Sequence, residues 1–484
     1  MSALQSLRSL IRSSRPEEKR IIRLYLVAFD SRGETYQNKG LRLFDILAEE
    51  DSAKLKDSDV EYLVYGKRNT GTFYRLLLRL RDKILEALSL SFNLARKGNY
   101  SERGITILHV RRRLLEAQIL IEQQEFELAE LLLIPLLEST EKFELLPDRL
   151  TILEQLEIIA EQKDDQKAIE RLASEALICR SKLGLIATTK QLLLVAERGM
   201  LDQIEHRKNE LLILAKESGT AMASYYHLGL EAKIAERKGN YKAAVAFLRQ
   251  QSKLTREHSA VKSKALQAHV CTEIAWNALH MRHFEYALAF AQEGLQLKGP
   301  SKGDLSKLRQ TECFALFYSG KTADAIEKVD EYRVSQLDEQ LLYLKTAALF
   351  LRGEYYEANQ VISKLRWQKL DQTGFGNWAK LLAKMNFIEL GLEKENTRLK
   401  TSLVRFSRGL PLQEKISKRE RMAAEMLQTL IMLNIDFKGA HHRSLEQLRE
   451  LQSKENSWQV LSGEFVPFEE WFMARVTKQK LVLF

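Results

Sequence analysis

The chain has 484 residues, 45% hydrophobic and 29% charged, which excludes a disordered polymer and exceeds one ordinary compact domain. Only 6 prolines and 22 glycines interrupt it, a composition of long helices joined by short turns. The formal charge of +10 is unevenly laid out: residues 1–113 hold 23 Lys/Arg against 14 Asp/Glu, 114–240 hold 15 against 23, and 241–484 hold 37 against 28. Basic ends around an acidic middle have two readings, two surfaces with different partners or ordinary solvated helix faces.

The first residues, MSALQSLRSLIRSSRPEEKR, lack the apolar core and small-residue cleavage site of a secretory signal. No uncharged apolar run reaches the roughly 18 residues of a spanning helix, so a cytoplasmic protein with no membrane span is expected. Cys179, Cys271 and Cys313 are far apart and sit in helical apolar patterns, as small core residues of a reducing compartment do.

Residues 1–98 are expected to form a basic helical module. Its first helix ends near Ser14, a candidate cap, and the next opens with Glu17 and Glu18 at its positive end. A polar loop from Gly33 to Gly40 follows, then short helices at LRLFDILAEE and DSDVEYLVYG and a long one over 73–97. Arg8, Arg12, Arg15, Lys19 and Arg23 are placed to share one broad face, with Arg111, Arg112 and Arg113 close by in sequence. A basic helical bundle is also how helix-turn-helix modules look, but the loops at 31–40 and 66–71 are long for one and no helix offers a base-reading set. The run Ser14–Arg20, the triplet Arg23-Leu24-Tyr25 and the block Leu43–Leu47 resemble a group of uncharacterised bacterial helical-repeat proteins, a resemblance that implies architecture and no activity.

The pentapeptide RKGNY occurs at 96–100 and at 237–241. At the second copy, basic residues and Gly239 close one apolar helical pattern and Tyr241 opens another with Ala244 three residues later, so the string reads as a helix terminator. Equivalent turns lead to Ala129, Ala168, Ile204, Ala287, Ala325 and Ala358, with separations of 33 to 43 residues along the series. A small residue lies twelve positions before several of these alanines: Ala117, Ala232, Ala275, Cys313 and Thr346. The pattern of a small residue on the first helix, an aromatic opening the second and an alanine three residues on resembles tetratricopeptide repeats, most closely at 275–300 with Ala275, Phe284, Ala287 and Pro300. That resemblance implies an all-α solenoid of antiparallel helix pairs in a right-handed superhelix over 99–455, with a groove lined by first helices that binds a protein or peptide segment. Candidate groove residues are Tyr225, His227, Asn277 and Gln310. Residues 456–484 carry Trp458, Phe465, Phe468, Trp471, Phe472 and Phe484 and are expected to form a capping helix and tail over the apolar end of the array.

Motifs of chemistry are scarce. GKRNTG at 66–71 is followed by Thr72 and Phe73 where a phosphate loop needs a lysine and a hydroxyl, and GFG at 374–376 has no strand before it. His280 and His283 share a turn position, so no metal site, cofactor or catalytic group is assigned and no enzymatic activity is expected. The basic run 398–421 supplies candidate phosphate-contacting residues Arg398, Lys400, Arg405, Arg408, Lys418, Arg419 and Arg421. The expected function is therefore a non-catalytic cytoplasmic scaffold or adaptor for a protein or peptide partner. The alternatives are an RNA- or ribosome-associated protein binding nucleic acid through its basic ends, and a peptide-sensing transcriptional regulator.

Overall fold

The computed structural model describes residues 3–14, 16–28, 39–49, 55–67, 70–91, 101–200, 204, 218–332, 339–414, 416–453 and 455–481. Its regular structure is all helical: 24 helices among the described residues. They fall into two compact units, residues 1–105 and 106–484. The first RKGNY, at 96–100, lies outside the described residues, as do Arg15, most of the 33–40 loop and Phe484.

The first unit holds α1 (Ala3–Ser13), α2 (Pro16–Ala28), α3 (Lys39–Ala48), α4 (Asp57–Tyr65) and α5 (Thr70–Ser91). Apolar residues at helical spacing make its core: Leu4, Leu7 and Ile11 of α1, Ile22 and Leu26 of α2, Leu43, Phe44 and Leu47 of α3, and Phe73, Leu77, Leu80 and Ile84 of α5. Ser14 does not cap α2; its hydroxyl donates to the Leu10 carbonyl at 2.8 Å and closes α1 instead. The basic face is partly spent within the unit, since Arg8 donates to the Leu55 carbonyl at 2.6 Å and Arg23 pairs with Asp45 at 3.1 Å.

The second unit begins within α6 (Glu102–Glu122) and continues through α7 (Phe126–Lys142), α8 (Leu146–Gln162), α9 (Gln166–Glu197), α10 (Ala221–Arg237), α11 (Tyr241–Glu257), α12 (Lys264–His280), α13 (Phe284–Gln296), α14 (Lys302–Tyr318), α15 (Thr322–Tyr332), α16 (Glu339–Arg352), α17 (Tyr355–Ile362), α18 (Trp367–Gln372), α19 (Gly376–Glu393), α20 (Leu399–Gly409), α21 (Lys418–Met432), α22 (Phe437–Arg443), α23 (Leu445–Leu451) and α24 (Phe468–Thr477). Neighbours in sequence pack as pairs, α10 with α11, α12 with α13, α14 with α15 and α16 with α17, and each pair packs on the next. This is the helix-pair array expected from the repeats.

The two helices of a pair are joined by one recurring turn. At the second RKGNY, Gly239 takes φ 74°, its N–H donates to the Glu236 carbonyl at 2.9 Å, and the Asn240 N–H donates to the Ala235 carbonyl at 2.8 Å. These two bonds satisfy carbonyls that the end of α10 would leave unpaired, and a left-handed residue is what lets the chain turn back to make them. Asn240 then caps α11, accepting from the Ala243 N–H at 3.1 Å. The same long bond recurs at Glu125, His283, Lys321 and Glu354. Gly320 and Gly353 supply the left-handed residue in two of these turns, while Gln124 and Arg282 adopt it despite their side chains.

Small residues sit where the sequence pattern placed them. Ala117, Ala129, Ala244, Ala275, Ala287, Ala325 and Ala358 are buried, as are Cys313 and Thr346, and they let the two helices of a pair cross closely. Gly294 of α13 allows a close approach both within its pair and to the next: a Cβ there would lie 3.2 Å from Cys271 of α12 and 2.7 Å from Leu308 of α14. The one-helix-per-half-repeat rhythm fails at α9, which runs 32 residues without a break. Between Ala168 and Glu197 the chain has no proline and only Gly184, which a helix tolerates, so two half-repeats fuse.

The C-terminal expectation of a capping helix needs correction in part. Among the described residues of 456–484 the helix is Phe468–Thr477, with Trp471 and Phe472 buried against the array. Residues 457–467 form a non-helical strap, because Gly463 takes φ 90°, Leu461 takes φ 65° and Pro467 cannot donate within a helix.

Candidate functional site

The first helices of successive pairs, α12, α14, α16, α19 and α21, lie against one another and form a continuous face. Two stretches of this face differ: one is an open cavity, the other is covered by the strap.

The cavity, about 400 Å3, lies between α9, α10, α12 and the start of α14. Leu193, Leu194, Tyr225, Tyr226, Leu248 and Leu266 give it an apolar lining. Tyr225 and Tyr226 meet edge to face at 5.4 Å, and the Lys190 ammonium stands 6.0 Å from the Tyr226 ring. Gly229 makes room for Gln251 of α11, whose amide approaches to 3.0 Å of the missing Cβ and donates to the Tyr225 carbonyl at 2.9 Å. Burial raises the Tyr225 phenol well above its ordinary range, so it stays neutral.

Along one rim runs a ladder of charges contributed by three first helices. Lys233 of α10 donates to Glu236 at 2.8 Å and to Glu273 of α12 at 3.1 Å, and Lys307 of α14 donates to the other Glu273 oxygen at 2.7 Å. Burial disfavours the Glu273 charge, but Lys307 and Lys233 outweigh it and hold the carboxyl down to about 2. His269 shares a proton with Asp304 at 2.9 Å; burial opposes the imidazolium, and the Asp304 hydrogen bond with the Glu273 charge raises its pKa nonetheless. Asp304 in turn accepts the Ser301 hydroxyl at 2.6 Å, beside the cap of α14. Asn277 donates to the Glu273 carbonyl at 2.9 Å, while its buried carboxamide oxygen has no hydrogen-bond partner among the described residues. The arrangement can hold a ligand's apolar side chain and offer polar contacts at its rim, with the ladder's charges matched pair by pair.

The strap occupies the other stretch. Its Leu461 N–H donates to the Tyr318 hydroxyl of α14 at 3.1 Å, and its Gly463 carbonyl accepts from the Tyr343 hydroxyl of α16 at 2.8 Å. The Phe465 ring is fully buried among Phe314, Phe317 and Tyr318 of α14, Tyr343 of α16 and Phe375, with centroids 4.8–6.2 Å away. Glu464 lies against Arg419 of α21, which also donates to the carbonyls of Leu451 at 3.1 Å and Asn456 at 2.6 Å and reaches Glu469.

Of the four groove residues read from the sequence, Tyr225 lines the cavity and Asn277 belongs to the ladder. His227 is buried beside Glu231, 4.0 Å away, and Gln310 donates to Gln340 of α16. The basic run divides likewise. Arg419 is committed to the strap, Lys418 to Glu450 and Lys400 to the Met432 carbonyl, whereas Arg398, Arg405, Arg408 and Arg421 are exposed. Tyr226, Lys233, Glu273 and Lys307 were not singled out in the sequence. Their signal was opposite charges one repeat apart on first helices: Lys233 and Glu273 are separated by 40 residues, Glu273 and Lys307 by 34. No described helix is long and apolar enough to cross a membrane.

No protein-family model and no curated protein matches this chain. Among solved structures it is similar to the crystal structure of the apo form of RapI, with a TM-score of 0.43 and 13% sequence identity over 77% of this chain and 99% of that one.

Proposed function

We propose that this protein is a non-catalytic scaffold or adaptor that binds a protein or peptide segment on its first-helix face, at the cavity between α9, α10, α12 and α14. The observation that carries this reading is the cavity itself: a preformed apolar pocket of about 400 Å3 with a polar rim, the shape and chemistry of a site for a side chain on an extended segment. The absence of catalysis is part of the proposal. The ladder carboxylates are paired with lysines or histidine, which leaves them poor proton acceptors.

The test is selection of a random peptide display library on the immobilised full-length protein. Enriched peptides should bind the wild type and lose at least tenfold in affinity on Leu194→Asp, which puts a charge into the apolar lining. Their binding should weaken little between 50 and 200 mM salt. Single-stranded RNA binding with a steep salt dependence that Leu194→Asp leaves alone and Arg405→Glu removes, without any peptide selected, would overturn the reading in favour of the basic run.

A further inference from the structure

The strap is bound as a ligand would be. Tyr318 and Tyr343 address its main chain, one accepting from Leu461 and the other donating to Gly463, and neither bond depends on a strap side chain. One aromatic anchor, Phe465, enters a pocket made by α14, α16 and Phe375, and the acidic residue before it is gripped by Arg419. Gly463 suits the position between them: its φ of 90° would strain any residue with a side chain, and a Cβ there would stand in contact with Trp378 at 3.4 Å. Trp458 docks on Tyr318 at 6.1 Å, while Gln459 and Ser462 stay exposed. Main-chain hydrogen bonds with an anchor in a pocket are how a helical face takes an extended peptide.

The strap also differs from the helices it lies on. It belongs to no helix pair, and Leu461 holds a left-handed backbone at φ 65°. That conformation is costly for a branched side chain, and the cost is recovered when the segment leaves. Its departure would leave the helix pairs and their turns intact and uncover the Phe314, Phe317, Tyr318 and Tyr343 rings for another aromatic anchor.

We propose that this stretch of the first-helix face is a second docking site, held in cis by residues 457–466, and that its exchangeable occupant is a partner segment of the same chemistry: a glycine, an acidic residue and an aromatic residue in succession. The site is distinct from the open cavity, whose lining shares no residue with it. Its test therefore succeeds or fails independently of the binding proposed there.

The probe is a fluorescein-labelled peptide of residues 456–468, titrated by anisotropy onto the full-length protein. Phe465→Ala in the protein weakens its own strap, so this variant should bind the probe at least tenfold more tightly than the wild type does. Adding Tyr343→Phe removes the donor to the Gly463 carbonyl and should reverse several-fold of that gain. A probe with alanine in place of its phenylalanine at 465 should not bind. Hydrogen exchange on the wild type provides a readout that needs no variant: amides of 458–463 should exchange at least tenfold faster than those of α14 and α16, through local opening. Exchange of the strap only with global unfolding would overturn the proposal. So would a folded Phe465→Ala protein that ignores the probe, or a strap-exchanged dimer that forms in its place.

Discussion

Glu273 is where three first helices are tied together, and removing its charge should be costly in a pH-dependent way. The carboxyl sits at about 2 in the folded protein against an ordinary 4.5. That difference corresponds to about 3 kcal/mol of stability at pH 7. The sign follows from the lowered value: the unfolded chain binds the proton more readily, so the contribution is complete above the ordinary carboxylate range and is lost as pH falls toward 2. Glu273→Gln keeps the shape but cannot pair with Lys233 and Lys307. In urea titrations followed by circular dichroism, the variant should be less stable by about 3 kcal/mol at pH 7, and the gap should narrow steadily as pH falls from the ordinary carboxylate range toward 2. The lysine charges left facing one another set the sign of any excess over these figures. A gap below about 1 kcal/mol at pH 7, or one that does not narrow on acidification, would refute the assignment of Glu273 as the charge that joins α10, α12 and α14.

The array was legible because its rules are local. A left-handed residue after a helix and an alanine three positions into the next are both sequence features, and at Gly239 and Ala244 the structure uses them as the pattern implies. Fusion of two half-repeats into α9 was not legible, since a missing break leaves no residue to read and helix continuation depends on what packs beside it. The site was half legible. Tyr225 and Asn277 fell on first helices by counting from the repeat, but His227, two residues from Tyr225 and therefore about 200° around α10, turned to the interior. Arg419 stood in a basic run that offered phosphate contacts. Its partner Glu464 is 45 residues away across a non-helical strap, a separation no periodicity predicts. The strap itself was hidden by composition: its aromatic residues read as one amphipathic cap, and only Gly463 and Pro467 marked the break.

The crossing positions should tolerate no added bulk: Ala287→Leu forces α12 and α13 apart, with a loss of about 1–3 kcal/mol in urea titrations. Gly239→Ala meets open space but places a Cβ at φ 74°, so its cost should be only about 1–2 kcal/mol, read as a small drop in the thermal midpoint. Glu464 behaves oppositely to Glu273. Burial outweighs the Arg419 charge and pushes its carboxyl up to about 7, so the folded protein holds a proton that the unfolded chain has released. That contribution is present in acid and drains away as pH rises from the ordinary carboxylate range through 7. Glu464→Gln carries no titrating proton, so between pH 5 and pH 8 it should lose less stability than the wild type, by up to roughly 3 kcal/mol. Parallel pH profiles of the two proteins would mean that Arg419 keeps Glu464 ionised throughout. The strap would then be held by a charge pair whose strength falls only in acid.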